Sequence, residues 1–253
     1  MDRLIYTAMS GASGTLSRQA AVSNNLANVS TTGYRSEEHR LRAAQVLTKK
    51  NPDAGPALPT RAFVVDASTH TDFSSGPLMA TGRNLDVAVQ NKGWIAVSMP
   101  DGSEAYTRDG NLEISANGVL QTRNGIPIMG DSGVISVPPD SKISIAKDGT
   151  VSVLPETGTQ NAVNAIGRIK LVNPDEAALR RGGDGFFRMA DGTVPPTDDK
   201  VVLASGYLEN SNVNPVEQMV SMISLARQFE MQMKMITTAD QDDRSATQVI
   251  NAR

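Results

Sequence analysis

Apolar residues recur at helical spacing at both ends of the chain, whereas the middle alternates with a period of two. Within residues 2–33 the apolar and small positions are separated by alternating intervals of three and four, which is the heptad pattern of helix-on-helix packing. These positions are Ile5, Ala8, Ala12, Thr15, Gln19, Val22, Leu26 and Val29. The seam is narrow, so we expect a helix that needs a packing partner from far away in sequence or from another molecule.

The segment after this helix changes character along its length. Gly33 is expected to end the helix, because glycine readily adopts the left-handed conformation of a helix end. Residues 34–46 are compatible with a polar continuation of the helix. Residues 48–60 are rich in proline and glycine and predict a linker or exposed loop, and residues 62–73 are expected to be extended.

The central part of the chain has the pattern of short antiparallel strands. Leu85, Val87 and Val89 alternate with polar or small residues, as in a half-buried strand. Asn-Gly and Asp-Gly dipeptides follow at short intervals and supply the positive φ angles of tight hairpins. They begin at Asp101, Asp109, Asn117, Asn124 and Asp148. The predicted strands are residues 94–99, 104–107, 112–115, 119–122, 126–129, 134–137, 142–146, 151–154 and 166–172.

A second helix is predicted near the C-terminus. Asn214, Pro215 and Glu217 occupy the cap, first and third positions, which is a strong start signal. Two apolar seams follow on this helix, and a helix with two apolar faces is packed on more than one side. One seam contains Val216, Met219, Ile223, Ala226 and Met233, and the other contains Met222, Leu225, Phe229, Ile236 and Ala239.

The order of elements predicts an α+β fold: N- and C-terminal helices paired as a coiled-coil-like domain, with a central antiparallel all-β domain. The expected parts are an N-terminal helix (residues 1–33), an extended linker region (34–80), the β domain (81–209) and a C-terminal helix (210–253). The alternative is that both helices dock on the sheet as an ordinary α+β fold. The two seams of the second helix favour packing between molecules, because the first helix covers one of them at most.

Composition and charge disfavour several classes of binding site and binding partner. Aromatic residues are 4% of the chain, which disfavours an aromatic-lined ligand pocket, and the net charge of −3 gives no basic surface for nucleic acid. The chain has no cysteine, which excludes disulfides and zinc-thiolate sites. We find no apolar run that could cross a membrane and no signal-peptide pattern. We therefore expect neither direct membrane insertion nor a small-molecule ligand.

The residues that could carry catalysis are few. His39 and His70 stand in polar, loop-like contexts and are expected to be solvated, and no established catalytic or nucleotide-binding motif occurs. A glycine cluster beside Arg180 and Arg181 is more simply a loop than an anion site. Adjacent acids such as Asp198 and Asp199 do not have the spacing of a glycosidase pair. The sequence therefore predicts no enzyme, cofactor or metal site.

Three asparagines near the end of the first helix have two interpretations. Asn24, Asn25 and Asn28 are poor helix formers, and the simpler interpretation is that they cap and fray the helix end. The functional interpretation is that their amides form hydrogen bonds between subunits and set the register. The methionines of the second helix are most simply core residues, although methionine also repacks easily against non-identical neighbours.

Three blocks of sequence resemble the bacterial flagellar axial proteins, which are rod, hook and hook-associated subunits. SNNLANVSTTGYR (residues 23–35) is similar to their N-terminal signature, although Ser23 and Tyr34 replace the usual Ala and Phe. TGRNLDVAVQNKGWIAVSMPDGSEAYTRDGNL (residues 81–112) resembles the central block of rod and hook members. GYLENSNVNPVEQMVSMISLARQFEMQMKMITTADQ (residues 206–241) is similar to their C-terminal helix block. The opening residues and the chain length most resemble proximal rod members.

The resemblance implies a structural subunit of the flagellar rod, in which terminal helices form an inner tube and the β domain an outer layer. Its partners would be copies of itself, other proximal and distal rod proteins and the flagellar type III export apparatus. It would lie in the basal body, in the periplasmic space, without a cleaved signal peptide. The expected assembly interface contains Ile5, Ala8, Ala12, Val22, Asn24, Asn25, Leu26, Asn28, Val29, Val216, Met219, Met222, Ile223, Leu225, Phe229, Met233 and Ile236.

Two alternatives stay open on sequence alone. The first is a sister role in the same family, as a distal rod or hook subunit. The second belongs to another class: a peptidoglycan-cleaving enzyme that works near the rod, for which no acid/base pair can be named.

Overall fold

The computed structural model describes residues 2–45, 62–139, 141–155 and 163–251. The chain divides into two compact units. The first, here called the helical unit, contains Met1–Asn28, Ser36–Asp72 and Val213–Arg253. The second, here called the β unit, contains Val29–Arg35 and Phe73–Asn212. The chain therefore passes between the units at four points.

In the residues that the structure describes, two long helices and one antiparallel strand pair build the helical unit. Helix α1 is Asp2–Ala27 and helix α2 is Pro215–Asn251. Strands β1 (Glu37–Gln45) and β2 (Ala62–Thr71) pair antiparallel. Helix α1 contacts α2 and both strands, so it is the central element of this unit.

The predicted end of the first helix is wrong, because α1 ends at Ala27 rather than at Gly33. Its last turn is closed by Asn28, whose side-chain amide donates to the backbone oxygen of Asn24 at 2.9 Å. Gly33 does have a positive φ of 67°. It belongs to the β unit, where a Cβ would lie 2.4 Å from the backbone nitrogen of Asp109. Glycine is needed there for close packing as well as for the turn.

The helical continuation predicted for residues 34–46 is also wrong, because Glu37–Gln45 forms strand β1. The composition of this strand favours a helix when considered alone, but its backbone groups are instead paired with β2. The extended structure predicted for residues 62–73 is confirmed over Ala62–Thr71. The loop predicted for residues 48–60 lies outside the described residues.

The β unit confirms the predicted central antiparallel all-β structure. Its strands are β3 Leu78–Ala80, β4 Val87–Gln90, β5 Trp94–Ser98, β6 Glu104–Thr107, β7 Leu112–Ile114, β8 Leu120–Thr122, β9 Met129–Gly130, β10 Gly133–Val134, β11 Ser141–Ile145, β12 Thr150–Pro155, β13 Asn164–Arg168, β14 Leu171–Val172, β15 Leu179–Arg181, β16 Phe187–Met189, β17 Val202–Ser205 and β18 Tyr207–Glu209. One turn of 3-10 helix, Glu176–Ala178, precedes β15.

Strand pairing joins the beginning of the β unit to its end. A five-stranded sheet has the order β14-β5-β6-β16-β15, and a three-stranded sheet has the order β11-β12-β13. Strand β3 pairs with β18 and β4 pairs with β17, all antiparallel. Because the first strands pair with the last, the β unit is closed by its own chain.

A large aliphatic core fills the β unit. Val87, Ile95, Leu112, Leu120 and Leu203 have 0% exposure, and all belong to one cluster of buried residues. A second cluster contains the single tryptophan of the chain and its neighbours. The rings of this second cluster meet edge-on or tilted, at centroid distances of 4.6–6.0 Å. These rings belong to Phe73, Trp94 and Phe187.

Candidate functional site

Helix α2 begins as the sequence predicts. The side-chain oxygen of Asn214 accepts hydrogen bonds from the backbone N–H groups of Val216, at 3.1 Å, and Glu217, at 3.4 Å. Pro215 is the first helical residue. This cap satisfies backbone donors that would otherwise have no partner inside the helix.

The two apolar seams of α2 have opposite environments. The inner seam is buried or half-buried, and its members are Met222, Leu225, Phe229, Ile236 and Ala239. The other seam is largely exposed: Val216 is 68%, Met219 52%, Ile223 56% and Met233 42% exposed. Ala226 of that seam is half-buried.

Two further apolar residues extend the exposed seam of α2. Val220 is 62% and Met231 is 61% exposed. At 100° per residue they lie on the same side of the helix as Val216, Met219 and Ile223. We call these five residues the outer face of α2. The sequence reasoning missed Val220, although its position one turn after Val216 was a usable signal.

The predicted seam of α1 is buried or half-buried along its whole length, and we call it the inner seam of α1. Ala8, Ala12 and Thr15 are buried, and the remaining members, Ile5, Gln19, Val22, Leu26 and Val29, are half-buried. Val29 lies in the β unit and the others in the helical unit.

A second apolar face of α1 was missed by the sequence reasoning. Tyr6 is 64%, Met9 53% and Leu16 50% exposed, and the smaller Ser13 and Ala20 are exposed between and beyond them. These five positions again follow intervals of three and four, so a search for a second heptad pattern would have found them. We call them the outer face of α1.

Polar contacts join α1 to α2 within the helical unit. The hydroxyl of Thr15 donates to the side-chain oxygen of Gln232 at 3.2 Å. The side-chain amide of Asn25 lies 3.5 Å from the side-chain oxygen of Gln218. Both pairs lie beside the inner seams. One face of each helix therefore packs against the other helix within this chain.

The three asparagines have different environments. Asn25 is buried, and its side-chain amide binds both backbone groups of Glu37, donating to the oxygen at 2.9 Å and accepting from the N–H at 3.0 Å. Asn28 is half-buried and caps the helix end through Asn24, which is exposed. Asn25 therefore holds the start of β1, a role that neither sequence interpretation included.

Three of the residues considered for catalysis, His39, Arg181 and Asp199, are held in structural contacts. His39, expected to be solvated, is half-buried on β1, and its Nδ1 lies 3.2 Å from Asp66. His70 is exposed on β2. Arg181, beside the glycine cluster, lies over the ring of Tyr34 at 4.3 Å. Asp199 forms an ion pair with Arg168 at 2.6 Å.

Two searches of the described residues gave negative results. Over residues 2–45, 62–139, 141–155 and 163–251, no three His, Asp or Glu side chains are grouped so that they could hold a metal ion. Over the same ranges, neither helix has a stretch long and apolar enough to cross a membrane.

Three segments match families of flagellar proteins. Residues 5–35 match the family described as "Flagella basal body rod protein", residues 88–153 the family "Flagellar hook protein FlgE/F/G D1 domain", and residues 204–249 the family "Flagellar basal body rod FlgEFG protein C-terminal". The first and third matches overlap α1 and α2, the helices that carry the outer faces.

Relatives that match most or all of the chain are also flagellar basal-body rod proteins. The chain is 43% identical over 257 residues to the flagellar basal-body rod protein FlgF of Salmonella typhimurium, covering 99% of each chain. It is 33% identical to FlgF of Caulobacter vibrioides over 98% of each chain. It is 34% identical to the flagellar basal-body rod protein FlgG of Buchnera aphidicola, over 87% of this chain and 89% of the relative. These likenesses show that the chain belongs to the flagellar basal-body rod protein family.

Proposed function

We propose that this chain is a FlgF-like structural subunit of the proximal flagellar rod. The observation that carries the proposal is the pair of outer faces on α1 and α2, whose large apolar side chains are at least half exposed. Exposed apolar residues at regular helical spacing are typical of surfaces that bind another protein. The family membership supports a rod as the assembly in which these faces are covered.

We assign different structural roles in the rod to the helical unit and the β unit. The helical unit forms the inner axial domain, in which α1 and α2 pair in a coiled-coil-like manner through their inner seams. The β unit forms the outer β layer. The outer faces bind copies of this chain and other proximal and distal rod proteins. Torque is transmitted across the periplasm through this close helix packing.

Assembly and ordering of the helices are proposed to be coupled. In the free subunit the terminal helices are poorly ordered, and burial between subunits offsets the entropy lost when they fold. Circular dichroism of the purified chain should show less helix than α1 and α2 contain, and protease should cut both ends first. Complete protection of both helices from cleavage would contradict this coupling.

Export is proposed to use the flagellar type III apparatus, without a cleaved signal peptide. Family membership supports this route. N-terminal sequencing of the protein in isolated basal bodies tests the absence of cleavage: the mature chain should retain the sequence around Tyr6 and Met9. A shortened N-terminus would contradict it.

Substitution of an outer-face residue tests the assembly proposal. Ile223→Asp places a charge on the outer face of α2, so it should abolish incorporation into the rod and motility while the β unit stays folded. Gln228→Asp is the matched control, because Gln228 is exposed on the same helix but outside the outer face. Leu26→Asp should also block incorporation, through the inner seam. Normal motility of Ile223→Asp would contradict the proposal.

A sister role as distal rod or hook subunit is the second candidate. The likeness to a FlgG protein supports it, because that relative also matches most of the chain. Locating a tagged copy of the chain in isolated basal bodies by electron microscopy distinguishes the two. Density at the membrane-proximal end of the rod is expected, and density only at the distal end or in the hook would favour the sister role.

A further inference from the structure

Three charged side chains are buried together in the β unit. Glu209 and Arg35 are each 1% exposed and Arg108 is 4% exposed. One carboxylate oxygen of Glu209 lies 2.7 Å from Arg35 Nη2, and the other lies 3.1 Å from Arg108 Nη1. Burial lowers the pKa of Arg108 to about 10, although Glu209 opposes this shift, so Arg108 stays charged at neutral pH. Burying three charges is costly unless their hydrogen bonds are made, which suggests a specific role.

Glu209 and Arg35 bind the backbone of other segments. The carboxylate of Glu209 accepts a hydrogen bond from the N–H of Gly76 at 3.0 Å, and its backbone oxygen accepts from the N–H of Gly33 at 2.8 Å. Arg35 Nη1 donates to the backbone oxygen of Ser74 at 2.7 Å. The segments around Gly33, Gly76 and Glu209 are therefore joined by hydrogen bonds.

These segments are the ones that adjoin the points where the chain passes between the units. Val29–Arg35 is bounded by two of these points, Phe73 follows the third and Asn212 precedes the fourth. The backbone N–H of Asn212 also donates to the oxygen of Tyr34 at 3.4 Å. Its side-chain amide donates to the backbone oxygen of Ser74 at 3.1 Å. The β unit thus gathers all of its connecting segments around Glu209.

Arg108 attaches this cluster to the sheet. It donates to the backbone oxygens of Val89, at 3.2 Å, and Asn91, at 2.6 Å, and its guanidinium lies 5.4 Å from the centroid of the Trp94 ring. Val89 and Trp94 belong to strands β4 and β5. Two charge-assisted contacts of the Glu209 carboxylate therefore connect Arg35, which lies on a connecting segment, to Arg108 and the core strands.

We propose that Glu209, Arg35 and Arg108 form a clamp that fixes the connecting segments to the β unit in the free subunit, before any assembly. The clamp consists of β-unit residues alone, so the inference does not depend on the rod role. If that role is correct, the clamp is also where load enters the β unit.

Hydrogen exchange of the purified full-length chain tests the clamp. Glu209→Gln keeps the shape of the side chain but removes its charge. We expect the N–H groups of Gly33 and Gly76 to exchange about tenfold faster or more, while core N–H groups such as that of Leu120 keep their protection. Lys92→Met is the control, because it breaks an exposed ion pair of the same unit, with Glu176 at 3.2 Å. It should change none of these rates.

A second variant keeps the test decisive if Glu209→Gln fails to fold, which Trp94 fluorescence would reveal. Arg35→Met leaves a balanced pair of Glu209 and Arg108 in place, so the unit should fold, with Gly33 and Gly76 again exchanging faster than in the unchanged chain. Unchanged exchange at both glycines in Arg35→Met would overturn the proposal. An equal rise at Gly33, Gly76 and Leu120 would overturn it too, because the cluster would then stabilise the whole unit rather than its connections.

Discussion

The β unit and the helical unit differ in what they bury. In the β unit, valine, isoleucine and leucine side chains with near-zero exposure form one large core. In the described part of the helical unit, the buried apolar residues are Ala8, Ala12, Val213, Leu225 and Ala239, most of them small. Many of the large apolar side chains of α1 and α2 are instead exposed on the outer faces. The difference supports the proposal that the β unit is complete by itself and that the helical unit is completed by neighbouring subunits.

Burial energetics explain why the two units should behave differently. Each large apolar side chain that leaves water contributes about 1.5–3 kcal/mol, and the β unit gains this many times over. The helical unit gains it mainly along one seam of each helix. An isolated helix pair with so little buried surface is marginal in water. The following predictions test this contrast, from the largest expected effect to the smallest.

A truncation in the β core should have the largest effect. Leu203 is fully buried in the aliphatic core, so Leu203→Ala should lower the free energy of unfolding of the β unit by about 2–5 kcal/mol. Urea unfolding followed by Trp94 fluorescence measures this. Val194→Ala is the control, since Val194 is 60% exposed, and it should change the value by less than about 0.5 kcal/mol. Equal effects of the two would contradict a closed core.

Substitutions at two neighbouring positions of α2 should have different effects on the helix content of the free subunit. Leu225 is 4% exposed and Ile223 is 56% exposed. Leu225→Ala should therefore reduce the part of the helical circular dichroism signal that the free subunit retains, because it removes a buried packing contact, and Ile223→Ala should leave that signal unchanged. In both variants the helical signal should be lost at lower urea than the Trp94 signal. Loss of the helical signal and the Trp94 signal in one shared urea transition would contradict the proposed difference between the two units.

Removal of the Asn25 side chain should weaken the helical unit alone. Its amide makes two hydrogen bonds to the backbone of Glu37, and their loss leaves backbone groups unsatisfied at a cost of about 1–3 kcal/mol. Asn25→Ala should reduce the helical circular dichroism signal of the free subunit without changing the Trp94 transition. Asn24→Ala should have a smaller effect, because Asn24 is exposed. If the two variants behave alike, Asn25 does not hold the strand pair.

A pH-dependent effect of small size is expected at Asp109. Burial raises the pKa of this carboxyl, although Thr32 donates to it at 2.6 Å and opposes the shift. A raised pKa in the folded state means that ionisation disfavours folding above that pKa. Asp109→Asn keeps an acceptor oxygen without the charge, so Tm at pH 7 should rise by a few degrees at most. The difference should shrink as the pH falls and the carboxyl is protonated. A gain that grows towards low pH would contradict this account.

Local patterns in the sequence predicted the elements that depend on local chemistry. The cap at Asn214 and the antiparallel strands follow from short motifs, and both are confirmed. Positive φ angles are found at Gly102, Gly118, Gly125 and Gly149, as the turn dipeptides predict. Each of these features depends on a few neighbouring residues, so no tertiary information was needed. The prediction is wrong for the Asp109-Gly110 dipeptide, because Gly110 has no positive φ; glycine is needed there for close packing, since a Cβ would lie 1.7 Å from the backbone oxygen of Val87.

Features that depend on distant partners could not be predicted in this way. Strand β1 has good helix formers, and only its pairing with β2 makes it a strand. Glu209 resembles any surface acid in sequence, since its partners Arg35 and Arg108 lie far away along the chain. The pairing of β4 with β17 likewise has no local signature. The outer face of α1 is different, because its heptad spacing was present in the sequence and was overlooked.

Oxidation of methionines tests most directly whether neighbours complete the helical unit. Met9, Met219 and Met231 are 53%, 52% and 61% exposed on the outer faces, and Met79 of the β unit, 45% exposed, is the internal reference. Dilute peroxide with mass spectrometry compares the purified subunit with isolated basal bodies. We expect the outer-face methionines to oxidise readily in the free subunit and about tenfold more slowly, relative to Met79, in the rod. Equal relative rates in both states would contradict the account.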